Sequence, residues 1–153
     1  MATYEKATEV LNDLVKINND RVEGYEKAIV QIDDTDLKAL FTQMVDESRK
    51  YVLELNQQLN TWGKDIQTET TVSGKIYRTW MDVKRVFTGN DRHAILSSCE
   101  YGEDAAQRAY EEALNTEEPL PNELRTLITA QKASLKRSHD IIKKARDLEK
   151  ISQ

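Results

Sequence analysis

Apolar and polar residues recur at a helical period over four long stretches of the chain. In the first stretch, Leu11, Leu14, Asn18, Arg21, Tyr25, Ala28 and Ile32 follow one another in steps of three and four, and Val10, Ile17 and Ile29 widen that face. Glu9, Asp13, Lys16, Asp20 and Lys27 take the opposite side, so the spacing predicts an amphipathic helix from about Tyr4 to Ile32. Asp33-Asp34-Thr35 supplies a tight connection and an N-cap, which turns the next helix back antiparallel. That second helix, from about Asp36 to Trp62, repeats the pattern with Leu37, Phe41, Met44, Ser48, Tyr51, Leu55, Leu59 and Trp62. Gly63 stands where a C-terminal stop belongs.

Lys64 to Thr71 is polar and irregular and reads as a loop. After it, Ser73 can cap a short helix on which Ile76, Trp80, Val83 and Phe87 form one apolar edge, ending at Thr88-Gly89-Asn90. A connection of this length is more than a turn requires and is enough to cross a bundle from end to end. The third long helix, Asp91 to Asn115, carries a stripe of small residues: Ile95, Cys99, Gly102, Ala106, Ala109 and Ala113. Close packing follows from that stripe. Pro119 and Pro121 break the chain, Pro121 being suited to the first turn of a helix. The fourth helix, Asn122 to Lys150, offers Leu124, Ile128, Gln131, Leu135, Ser138, Ile142 and Ala145, with His139 beside the seam. Two antiparallel hairpins joined by a long connection predict an all-α, ferritin-like four-helix bundle. Its long crossover carries a short extra helix between helices two and three, and residues 1–153 form a single domain.

Composition narrows the function classes. The chain is 39% hydrophobic and 32% charged with five Gly and two Pro, a soluble helical profile. A formal net charge of −5 argues against nucleic acid as a partner. The basic residues of the fourth helix (Lys132, Lys136, Arg137, Lys143, Lys144 and Arg146) are interleaved with Asp140 and Asp147, and read as a solvated face. Cys99 is alone, which excludes an internal disulfide framework and fits a reducing cytoplasm. No stretch approaches the roughly 20 apolar residues of a membrane span, and the N-terminus lacks a signal-peptide core.

The candidate chemistry lies where the stripes turn polar. Asn18, Arg21 and Tyr25 interrupt the first helix, and Ser48 and Tyr51 interrupt the second at the height where an antiparallel partner meets them. Glu100 and Glu103 flank the middle of the third helix, and His139 falls in the fourth. Ferritin-like di-metal proteins converge one Glu from each of two helices and a Glu-x-x-His pair from each of the other two. This chain has Asn18 where a carboxylate belongs, Ser48-x-x-Tyr51 in place of one pair, and Lys136-x-x-His139 in place of the other. The physical alternative places the Arg21 guanidinium where the metal charge would be, with Glu103 or Glu47 as its partner.

Several motifs together carry a family likeness: Asn18-Asn19-Asp20-Arg21-Val22-Glu23-Gly24-Tyr25-Glu26-Lys27-Ala28, Trp80-Met81-Asp82 with Phe87-Thr88-Gly89, Gly102-Glu103-Asp104-Ala105-Ala106, and His139-Asp140. With them the chain resembles an uncharacterised bacterial four-helix-bundle family of the ferritin-like, rubrerythrin-related superfamily. The resemblance implies a bundle with no established activity. Glu103 and His139 are the positions onto which the superfamily's metal chemistry carries over.

The expectation is therefore a non-enzymatic cytoplasmic bundle with a structural polar layer of Asn18, Arg21, Tyr25, Ser48 and Tyr51. It would act as a homo-oligomer or through a protein partner, in a stress response, with no cofactor and no membrane association. The alternative is an iron- or manganese-binding protein with Glu103, His139 and Glu100 as a reduced ligand set.

Overall fold

A computed structural model describes residues 5–65, 67, 92–116 and 120–152, with side-chain surroundings up to residue 148. Four helices account for nearly all of them: α1 (Glu5–Gln31), α2 (Thr35–Thr61), α3 (Arg92–Leu114) and α4 (Asn122–Ser152). The described residues contain no strand, and none of their helices is long and apolar enough to cross a membrane. The short helix expected around Ile76, Trp80, Val83 and Phe87 lies outside the described residues, as does most of the Lys64–Thr71 loop.

The bundle order follows from which side chains meet. α1 packs on α2 and on α3, α4 packs on α3, and α2 and α4 touch most sparsely. Leu11, Leu14 and Val15 share a core cluster with Leu55, Leu59, Tyr110, Leu124 and Ile128 at one end. Tyr25 and Ile32 share another with Leu37, Phe41, Ile95, Cys99 and Ile142 at the other. α2 therefore ends where α1 and α3 have their opposite termini, and α3 begins at the far end, so α2 and α3 run parallel. An ion pair between Arg92 Nη1 and Asp34 Oδ1 at 2.6 Å ties the start of α3 to the α1–α2 turn.

Local sequence sets the ends. Asp34 has extended backbone at the N-cap of α2, but its side chain makes no capping bond, because that carboxylate is engaged by Arg92 instead. Gly63 ends α2 with φ +73°. Its N–H donates to Asn60 O at 3.0 Å and the Lys64 N–H donates to Leu59 O at 2.8 Å, the paired bonds of a Schellman stop. α4 begins at Asn122, as the spacing predicts, and Pro121 lies just before it, with its carbonyl accepting the first helical bond from Arg125 at 3.0 Å.

The stripes are observed, with differences at particular positions. Tyr110, not Ala109, fills the inward position late in α3. Asp20, expected on the outer face, is buried.

Candidate functional site

The polar interruptions of the stripes meet at mid-height and separate the two apolar clusters. Arg21 is at their centre. Its Nε donates to Glu103 Oε1 at 3.1 Å and Oε2 at 3.2 Å, and its Nη2 donates to Oε2 at 2.8 Å. Nη1 donates to Ser48 Oγ at 2.7 Å and to the Met44 carbonyl at 3.2 Å. Nη2 also lies 3.0 Å from Glu47 Oε1 and 3.3 Å from Met44 Sδ. A guanidinium has five N–H groups, and here each one has a partner. Both sequence candidates, Glu103 and Glu47, are thus partners of Arg21, the first fully buried and the second at 23% side-chain exposure.

Burial by itself would pull the Arg21 guanidinium's pKa down, but the Glu103 charge, Tyr25, the hydrogen bond to Glu103 and the Glu47 charge together more than reverse this and hold it above its ordinary value. Arg21 is a permanent internal cation. Tyr25 donates its hydroxyl to Glu103 Oε2. Its ring also lies under the Arg21 guanidinium, with Cζ 5.3 Å from the centroid. Burial, and then the Glu103 charge, push the Tyr25 phenol well up, which keeps it a donor.

From Ser48 the network continues toward the other end of the layer. Ser48 donates to Asn18 Oδ1 at 2.9 Å, and Asn18 Nδ2 donates to Leu14 O and to the Tyr110 hydroxyl, each at 2.8 Å. Tyr110 donates to Gln131 Oε1 at 2.6 Å, and Gln131 donates to Glu54 Oε1 at 3.0 Å. Glu47 accepts from Ser134 at 3.0 Å and Ser138 at 2.8 Å. Tyr51 lines the same region, and burial pushes its phenol up to about 12.

Asn18, Arg21, Tyr25 and Ser48 are thus joined in one network with Glu103, as their positions on the stripes imply. Tyr110, Gln131, Glu54, Ser134 and Ser138 extend it. Gln131 and Ser138 were legible as inward positions, whereas Tyr110 was masked by the alanines around it.

The three ligand candidates have separate partners. Both Glu103 oxygens accept from Arg21. Glu100 pairs with Arg146 of α4. His139 Nε2 lies 2.6 Å from Asp104 Oδ1, and its Nδ1 lies 3.1 Å from Asp140 Oδ1. Among the described residues no group of three or more His, Cys, Asp or Glu side chains is placed to hold a metal ion. Cys99 is buried beside this layer; desolvation, and then Glu103, raise its pKa and keep it a thiol.

Fold and layer together define a four-helix-bundle protein with a buried, arginine-centred ionic network. Residues 6–116 match the family described as Domain of unknown function (DUF2383), and the chain belongs to that family. The matched stretch contains Arg21, Glu47 and Glu103. No curated protein matches the chain.

Proposed function

We propose that this protein is a non-enzymatic, ferritin-like bundle of the rubrerythrin-related type, in which the Arg21 guanidinium stands where a metal pair would be ligated. Its role is exerted through self-association or a protein partner, in the cytoplasm of a bacterium and in a stress response. The parallel course of α2 and α3 supports the ferritin-like assignment, because that topology distinguishes it from a simple up-and-down bundle.

One observation carries the reading of the site. The central carboxylate, Glu103, is neutralised by a cation that is part of the chain, and every N–H of that cation is used. A metal pair needs several anionic oxygens free to converge on it. The donor set here does not fit one: Ser48 and Asn18 are neutral, Glu103 is engaged by Arg21, and Glu100 by Arg146. The layer's physical role is to fix helix register. A buried ionic group that is out of register loses its partners at large cost, whereas an apolar seam tolerates sliding.

The test is elemental analysis of protein purified without chelator and then incubated with ferrous iron, manganese or zinc. The expected result is no stoichiometric metal in the wild type. Stoichiometric metal that is lost in Glu103→Ala would replace this reading with the reduced-ligand metal site of Glu103, His139 and Glu100.

A further inference from the structure

Charge is unevenly spread over the four helices. α4 carries eight basic and four acidic residues, a net of +4 in a chain of net −5, so the remainder carries −9. The acids on its outward side are already engaged: Asp140 by Lys136 at 3.2 Å and by His139, and Asp147 by Arg146 at 2.8 Å. Arg137, Lys143 and Lys144 are exposed beside them and have no ion-pair partner among the described residues. Ile141 and Leu148, both about half exposed, lie between these cations. Lys143, Lys144 and Leu148 share a shallow surface depression with Asp140 and Asp147. The outward stripe of α4 therefore reads Arg137, Ile141, Lys144, Leu148, in steps of four, three and four.

α1 presents a counterpart of opposite sign. Glu26, Val30 and Asp33 are all exposed, Val30 at 79%, with Asp33 just past the helix end. Glu23 precedes them on the same side, and Lys27 next to Glu26 is half-buried. Glu26, Val30 and Asp33 repeat the four-three spacing of Arg137, Ile141 and Lys144, each triplet having an apolar residue at its middle. Glu26 also accepts from Arg49 of α2 at 2.6 Å. That pair is itself about half exposed, and a carboxylate accepts from several donors. α1 and α4 are the diagonal helices of the bundle, without close backbone contact among the described residues. They run parallel, since α2 and α3 do. Their outward stripes lie on opposite sides of the core and cannot meet within one molecule.

A second copy can bring them together. Set parallel, the two helices align Glu26 with Arg137, Val30 with Ile141, and Asp33 with Lys144. The exposed apolar side chains then leave water while the flanking charges pair. Two copies of α4 set against each other would bring like cations together, which is unfavourable. An anionic lipid surface would use the cations of α4 but would leave the matching spacing on α1 without a use.

We infer that α4 of one copy docks on α1 of the next, head to tail, through these two triplets. Such a contact is heterologous, so it extends into chains or closes into a ring instead of stopping at a two-fold dimer. This deepens the self-association proposed above and rests on it.

The full-length protein is followed by size exclusion with light scattering across a concentration series, at low and high salt. It is compared with Arg137→Glu/Lys144→Glu, with Glu26→Lys/Asp33→Lys, with their equimolar mixture, and with the chain carrying all four changes. The expected result is a wild-type mass that rises with concentration and falls back in high salt. Each paired variant alone associates more weakly by about tenfold or more, because like charges then face one another. The mixture and the fourfold variant associate again, since both restore opposite charges across the contact. Should a charge-reversed chain fail to fold by circular dichroism, Val30→Ser decides, with the same expected weakening. Association that survives in both paired variants, or that neither mixing nor the fourfold exchange restores, overturns this interface and leaves self-association standing. A wild type monomeric at every concentration overturns both. If that monomer binds phosphatidylglycerol vesicles and Arg137→Glu/Lys144→Glu does not, the α4 face belongs to an anionic lipid surface instead.

Discussion

Arg21 and Glu103 meet through contacts of 2.8, 3.1 and 3.2 Å, with side-chain exposures of 2% and 0%. The two residues stand on antiparallel helices far apart in sequence, and their pairing sets the relative height of α1 and α3. Out of water, such a pair is worth little compared with apolar packing, yet breaking it is costly because one charge is left stranded.

Arg21→Met and Glu103→Ala are each expected to lower stability by about 3–5 kcal/mol, the usual consequence of an uncompensated buried charge. The double variant Arg21→Met/Glu103→Ala should recover part of that loss. Urea unfolding of all four proteins gives the coupling, expected at about 2 kcal/mol or more. Additive losses would show that the two residues are not energetically paired.

Glu47 should behave differently although it touches the same guanidinium. Its partly exposed carboxylate can exchange partners with water, so Glu47→Gln is expected to cost about 1 kcal/mol or less. Added salt should narrow the gap between wild type and Glu47→Gln while leaving the Glu103→Ala loss nearly unchanged, since buried pairs are poorly screened. Equal salt sensitivity for both variants would contradict the assigned difference in burial.

Alkali should unfold the protein through its tyrosines. Burial raises the phenols of Tyr25, Tyr51 and Tyr110 above the ordinary value of 10.0, that of Tyr51 to about 12. A raised folded-state pKa stabilises the fold fully below the ordinary value, and that contribution is lost as pH rises through the raised one. Stability should therefore fall steeply between pH 10 and about 12. Phenolate absorbance of the buried tyrosines should appear together with loss of helical circular dichroism. Phenolate formation complete before any helix is lost would refute this assignment.

Gly63 gives a test confined to the backbone. A Cβ there would meet nothing within 4 Å, yet φ is +73°. Gly63→Ala is expected to cost about 1–2 kcal/mol purely from the left-handed conformation, and Gly63→Asn distinctly less, since Asn tolerates that region. Thermal unfolding of the two variants separates them; equal losses would mean that the helix stop has rearranged.

The four long helices and their inward faces were legible in the chain because amphipathic periodicity is a local property. Leu11, Leu14, Tyr25, Phe41, Leu55, Leu124 and Ile142 announce their burial through spacing alone. The polar layer was legible for the same reason, since Asn18, Arg21 and Ser48 occupy positions that an apolar stripe reserves for the core.

Partnership was not legible to the same depth. Spacing left Glu103 and Glu47 as alternatives for Arg21, and the structure engages both, because the guanidinium presents separate donors to α2 and α3. Tyr110 lay among alanines, and its reach across to Asn18 and Gln131 depends on how far α3 is rotated. Asp20 looked solvent-facing by period yet is buried.

By itself, then, the sequence determined the four long amphipathic helices of the described residues, most of the residues that face inward, and that the middle of the bundle is polar. Tertiary structure alone decided that the polar residues form one network centred on a cation held by three helices. Periodicity specifies the direction of a side chain about its own helix axis, whereas a hydrogen bond depends on the rotation and height of the neighbouring helix as well.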